Sequence, residues 1–188
     1  MHTLIGLMFF GLAIAVAVWM LIVWRGFTQD WLPEELKTAR VALVEKSLWI
    51  DADLPRSAGA GFGASRTYVS VPVVGRPDRI YKLSGGQHVP VENKNRDLDR
   101  VFDTDIAQLS LQAWLLRQKG FETASFGYVA INNRRTRQRT AHKVDLLDDA
   151  ACVRIINRYL DVTEGRVEPR KSRGKKCNSC GHRIACHG

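Results

Sequence analysis

Cysteine is scarce along most of this 188-residue chain: there are four, and three fall within the last dozen residues. That crowding excludes the dispersed, even set of a secreted disulfide scaffold and points to a reducing compartment. No Lys-Ser/Thr pair follows the glycines of DLPRSAGAGFGASR (Asp53 to Arg66), so the stretch lacks the chemistry of a phosphate-cradling nucleotide loop. It reads as a loop rich in small residues. No internal repeat is present, which excludes a solenoid.

Charge is absent from Leu4 to Trp24, LIGLMFFGLAIAVAVWMLIVW, a run of twenty-one residues. At about 1.5 Å per residue such a run crosses a hydrocarbon core of about 30 Å. Trp19, Trp24 and Trp31 lie towards its end, where aromatic rings favour the headgroup region. A cleaved signal fits less well, since no Lys or Arg precedes the run and no small-x-small site follows it before Arg25. The expectation is a transmembrane anchor over 1–25 and a connector over 26–33. Arg25, Lys37 and Arg40 follow the span, which places the C-terminal domain in the cytoplasm by the positive-inside rule.

Acidic residues are missing from NNRRTRQRTAHK (132–143), which holds five basic ones, and 165–188 holds seven basic residues against one acidic. With a formal net charge of +9, these two windows (+5 and +6) leave about −2 for the rest. The excess forms two patches, as a polyanion footprint would; a solvated hairpin tip and a lipid-attracted tail are the competing readings. The candidate nucleic-acid contacts are Arg134, Arg135, Arg137 and Arg139 in the first patch. In the second they are Arg170, Lys171, Arg173, Lys175 and Lys176.

The elements expected after the connector begin with a helix over PEELKTARVALVEKSLWI, with Pro33 in its first turn and acidic residues early. Thr67 to Leu83 reads as a long strand or bent strand pair, and His88 to Lys94 as another strand after a Ser84-Gly85-Gly86 turn. Asp103 to Lys119 is a helix with Ile106, Leu109, Ala113 and Leu116 on its apolar face and Asp103 or Thr104 as its cap. ASFGYVAIN and RTAHKVDL are strands joined by the first basic patch. LLDDAACVRIINRYLDVTEG is a final helix stopped by Gly165. The fold class is α/β, a mixed sheet flanked by helices, with one domain over 34–165 and a basic, cysteine-rich tail over 166–188.

Within GRPDRIYKLSGGQHVPVENKNRD (Gly75 to Asp97), alternation puts Glu92 and Lys94 on one face. Antiparallel pairing through the glycine turn brings Asp78 beside Glu92. Two close carboxylates repel each other unless a divalent cation lies between them. The Asn93 backbone carbonyl is the candidate third ligand, and an all-oxygen set suits Mg²⁺ or Mn²⁺. Lys94 is then placed to orient a water. In the plainer reading, Asp78 caps a turn and Glu92–Lys94 is an exposed ion pair.

GRPDRI followed by VPVENKN resembles the GxxD…(D/E)xK signature of the PD-(D/E)XK nuclease superfamily. DIAQLSLQAWLL is similar to the QxxxY helix of its RecB-like exonuclease branch, and the second hairpin and CNSCGHRIAC follow in the order of the CRISPR-associated and AddB-like exonucleases. The resemblance covers about Glu34 to Cys186. It implies a restriction-endonuclease-like fold in which Asp78 and Glu92 are metal ligands, Lys94 is catalytic and Gln108 positions substrate or the lysine. The sequence departs from the pattern where Gln112 replaces the tyrosine. No histidine lies in the first helix, where Glu45 is the weak alternative.

Cys177-x2-Cys180-x5-Cys186 is a metal-ligand spacing. The resemblance implies a [4Fe–4S] cluster, but its upstream fourth cysteine is missing, leaving His187, His182 or Cys152 as the fourth ligand. A Cys₃His set favours Zn²⁺, so both metals stay open. The expected function is a membrane-anchored, Mg²⁺- or Mn²⁺-dependent DNA nuclease, exonuclease-like, acting on single strands or duplex ends. The alternatives are a non-catalytic nucleic-acid-binding or assembly protein on the same fold, and a membrane-associated zinc-knuckle adaptor.

Overall fold

The computed structural model describes residues 14–21, 31–57, 66–170, 174, 177–178, 180–181 and 183–187. Its elements in order are α1 (Glu34–Lys37), β1 (Arg40–Val44), β2 (Leu48–Ser57), β3 (Arg66–Gly75), β4 (Arg79–Lys82) and β5 (His88–Arg96). Then come α2 (Asp103–Gln118), β6 (Phe126–Asn133), β7 (Arg139–Asp145), α3 (Asp149–Thr163) and α4 (Arg183–His187). The chain divides into two compact units. The first comprises 1–52 and 70–148, the second 53–69 and 149–188.

The first unit is built on a five-stranded sheet of order β1-β4-β5-β6-β7. Its β5–β6 pair is parallel and its other pairs antiparallel. The parallel pair follows from α2, which carries the chain from the end of β5 back to the start of β6. Both faces are covered. On one, Leu32 and Leu36 of the α1 segment pack with Tyr81, Val89, Val91, Tyr128 and Ala130. On the other, Leu109 of α2 packs with Val129 and Ile131. Odd and even residues of β5 and β6 thus serve opposite faces, as alternation requires. This is the expected mixed α/β sheet flanked by helices.

Two expected elements differ. The long helix over PEELKTARVALVEKSLWI is only the single turn of α1; Arg40–Val44 instead pairs antiparallel with β4, and Leu48–Ile50 open β2. Val41 opposite Tyr81 and Leu43 opposite Ile80 exchange local helix propensity for sheet pairing. The small-residue loop is shorter than its composition suggests, because Asp53–Ser57 continues β2, whose partner is β3; residues 58–65 lie outside the described set. The cap of α2 is also reassigned. Phe102 is the N-cap residue, and its N–H donates to the Asp105 carboxylate at 2.9 Å.

The membrane placement is corrected. Among the described residues no helix is long and apolar enough to cross a membrane. The described part of the apolar run, residues 14–21, is helical. The remainder of Leu4–Trp24 and Arg25 lie outside the described residues. The single-pass anchor, its membrane partner and the cytoplasmic orientation drawn from them are unsupported.

One tie on the α1 face makes a pH prediction. The Tyr128 hydroxyl donates to Glu35 at 2.6 Å and Lys143 Nζ to the other oxygen at 2.8 Å. Lys143 first and Tyr128 second, against a smaller burial cost, lower the Glu35 carboxyl from 4.5 to about 2. Its stabilising effect is complete above pH 4.5 and is lost as pH falls towards 2. Urea midpoints of the wild type and Glu35→Gln should differ at pH 6 and converge towards pH 2. The difference will be modest, since Glu35 and Lys143 are both about half exposed.

Candidate active site

β5 leaves the sheet with Glu92, Lys94 and Arg96 on its α2 face, and α2 meets them with Gln112, Gln108 and Asp105. Gln112 Nε2 donates to Glu92 Oε2 at 2.8 Å, and Gln108 Nε2 donates to Glu92 Oε1 at 2.8 Å. Lys94 Nζ donates to Glu92 Oε1 and to Gln108 Oε1, both at 2.8 Å. The Arg96 guanidinium grips Asp105 with two bonds of 2.9 Å. The match is geometric. Two strand residues advance about 6.6 Å and one helical turn about 5.4 Å, so an antiparallel helix keeps step with alternate strand positions.

Both glutamine amides have their orientation fixed by their neighbours. Lys94 can only donate and an ionised Glu92 can only accept, so Gln108 must turn its oxygen to the lysine and its nitrogen to the carboxylate. The same argument turns the Gln112 nitrogen to Glu92, whose side chain is 5% exposed, and leaves Gln112 Oε1 buried without a partner.

Asp78 enters from the other side of β5. The β4–β5 register ends at Arg79 opposite Val91, and one further step sets Asp78 opposite Glu92. The Asn93 N–H donates to Asp78 Oδ2 at 2.7 Å. Glu92, Lys94 and Gln108 therefore gather on the α2 face of β5, and Asp78 meets the strand at the Asn93 N–H. The plainer reading of an exposed Glu92–Lys94 pair fails on the burial of Glu92. Glu45 faces elsewhere: its carboxylate pairs with Arg76, although its N–H bonds the Asp78 carbonyl at 3.1 Å.

Asp105 closes the far end of the row. Burial raises its carboxyl pKa, but the Arg96 fork, the Phe102 N–H and the nearby Lys94 together bring it below the ordinary value. Arg96 also lies over the Phe102 ring at 4.9 Å.

The basic residues divide. Arg134, Arg135 and Arg137 are exposed at the β6–β7 turn, the first two beside Asp97 at 2.9 and 4.0 Å. Arg137 has a positive φ of 59° at the tip. Arg139 does not share that tip. Its guanidinium stacks 3.6 Å from the Trp31 ring centroid and bonds the Asn93 side chain, and burial, then Arg79, disfavours its charged form. In the tail Arg170 is exposed, while Lys171, Arg173, Lys175 and Lys176 lie outside the described residues.

Among the described residues the cysteines show no metal centre. Cys177 and Cys186 are partly buried and Cys180 is exposed, and among the described residues no group of three His, Cys, Asp or Glu side chains gathers to hold a metal. The Cys180 N–H approaches the Cys177 carbonyl at 3.4 Å in a tight turn. The side chain of His187 and the whole of His182 lie outside the described set, and Cys152 is fully buried in α3. An iron–sulfur or zinc site in the tail is therefore unsupported.

The family model of the PD-(D/E)XK nuclease superfamily matches residues 15–187. The chain belongs to that superfamily. Among solved structures, one titled "Crystal structure of SSO0001" is similar with a TM-score of 0.50 and 18% identity, over 77% of this chain and 59% of that one. At that identity the likeness concerns the fold, and the chain spans 59% of that protein's length. No curated protein matches. For this superfamily member, Gln112 is the functional candidate that sequence reasoning passed over. It stands where the family pattern has a tyrosine, four residues after Gln108 and so on the same helix face.

Proposed function

We propose that this superfamily member is a divalent-cation-dependent deoxyribonuclease that hydrolyses phosphodiester bonds. The observation that carries the reading is Glu92: a buried carboxylate next to a lysine, held by two glutamines, opposite a second carboxylate when the strand register is continued by one step. The donor set fits a hard cation. Asp78 uses Oδ2 on the Asn93 N–H, Oδ1 makes no hydrogen bond among the described residues, and Glu92 Oε2 keeps lone-pair capacity. Asp78, Glu92 and the Asn93 carbonyl would hold Mg²⁺ or Mn²⁺. When bound, such a cation neutralises phosphate charge and lowers the pKa of a water.

The chain's own residues do the rest. Glu92 is fixed by its three donors, so it needs no reorganisation when substrate arrives. Lys94 Nζ has three protons and places two of them on Glu92 and Gln108. The third is available to orient an attacking water or to meet charge developing on a phosphate oxygen. Exposed Arg134, Arg135 and Arg137, together with the basic residues of 170–176, are the proposed backbone contacts. The Gln108 contact supports likeness to the RecB-like exonuclease branch, and with it exonuclease-like action on DNA ends.

Incubating the purified chain with end-labelled linear and closed circular DNA tests this reading. With Mg²⁺ or Mn²⁺, linear DNA should shorten and circles should persist, and EDTA should stop the reaction. Lack of cleavage of any DNA with either cation would refute the enzymatic reading.

A further inference from the structure

Gln112 is 5% exposed, donates to Glu92 Oε2 at 2.8 Å, and carries a buried oxygen with no hydrogen-bond partner. A buried amide oxygen without a donor costs about 1–3 kcal/mol. An apolar side chain of similar volume would avoid that cost, as Leu109, Ala113 and Leu116 do on the same helix. The other polar side chains of the row have no such orphan: Gln108 uses both ends of its amide, and Asp105 uses both oxygens. The donor that satisfies this oxygen is therefore a group other than the described side chains and backbone. The oxygen shares a carbon with the nitrogen that touches Glu92, so a donor to it can also reach the Glu92 carboxylate. A water there, with two protons to give, meets the requirement.

We propose that Gln112 is a positioning residue of the cation site: Nε2 fixes the rotamer of Glu92, and Oε1 accepts a hydrogen bond from a water that accompanies the cation. This rests on the proposed nuclease reading. Gln108 and Lys94 both engage Glu92 Oε1, so among the described residues Gln112 alone holds Oε2. Losing it frees the carboxylate to rotate about its terminal bond and removes the acceptor for the water. Partners that orient metal-binding carboxylates change metal affinity or activity by about 10- to 100-fold when removed.

The test uses the full chain and Mn²⁺ alone, with free Mn²⁺ followed by electron paramagnetic resonance in the absence of DNA. Gln112→Met keeps volume and removes both polar atoms; Gln112→Glu keeps shape and replaces the donor by an acceptor. Gln112→Met should weaken Mn²⁺ binding about 10- to 100-fold and lower kcat on DNA with KM little changed. Gln112→Glu should lower the melting temperature without Mn²⁺ and recover more on adding it than the wild type does, because the cation separates two carboxylates. Wild-type affinity and kcat in Gln112→Met would overturn the inference and leave the nuclease reading standing. So would a raised KM alone, which would make Gln112 a substrate contact. A wild-type chain that binds no Mn²⁺ would overturn both.

Discussion

Lys94→Ala is expected to reduce DNA cleavage by about 10³-fold, as loss of one preorganised donor at a reacting phosphate does, while the chain stays folded. Lys94 is 23% exposed in its side chain, and its two bonds go to Glu92 and Gln108, so its removal touches the chemistry before it touches the core. Lys94→Arg should recover little. A planar fork on a longer side chain cannot place one proton on each partner with the geometry of an ammonium. Glu92→Ala and Asp78→Ala should be equally inactive by a separate route, through the cation. Initial rates at saturating DNA with circular dichroism as the folding control measure all four. Full activity in Lys94→Ala would remove the lysine from the mechanism.

Asp105→Ala is expected to be the most destabilising single change in the strand–helix row, by about 3–5 kcal/mol for breaking a buried ion pair. The side chains of Arg96 and Asp105 are 17% and 6% exposed, and Asp105 also accepts the first free N–H of α2 from Phe102. Truncation leaves the Arg96 guanidinium only the Arg100 carbonyl and the Phe102 ring among the described residues, and takes the acceptor from the N-cap amide. The measurement is the urea midpoint at constant m-value. A shift below about 1 kcal/mol would show that the fork is a surface pair and that α2 is held by Leu109 and its neighbours alone. Because α2 carries both glutamines, the same change should also lower activity at temperatures where the chain remains folded.

Much of this site was legible before the fold was seen, because it depends on two periodicities. Alternation puts Glu92 and Lys94 together, and antiparallel pairing, continued one step past Arg79–Val91, sets Asp78 opposite Glu92. The order of the strand pair, the glutamine helix and the second hairpin carried the family. Other features depend on partners distant in sequence. RVALV is an edge strand only because β4 pairs with it, so local helix propensity misled over Glu34–Ile50. Arg139 sits in a basic run, yet Trp31, more than a hundred positions away, takes its guanidinium. Gln112 was legible in principle from its spacing to Gln108, but a missing tyrosine drew attention from what the amide does there. The uncharged N-terminal run shows the limit of a length argument. Hydropathy gives the reach of a helix, and the described residues contain no helix of that reach.

The central claim is that Asp78 and Glu92 share one cation beside Lys94. Anomalous difference maps from crystals of the full chain grown with Mn²⁺ test it most directly. The account predicts a peak between the two carboxylates, about 2 Å from an oxygen of each, with Gln112 still on Glu92 and Lys94 within reach of a bound water. Mn²⁺ bound elsewhere, with Lys94 still closed on Glu92 and Asp78 turned away, would contradict it.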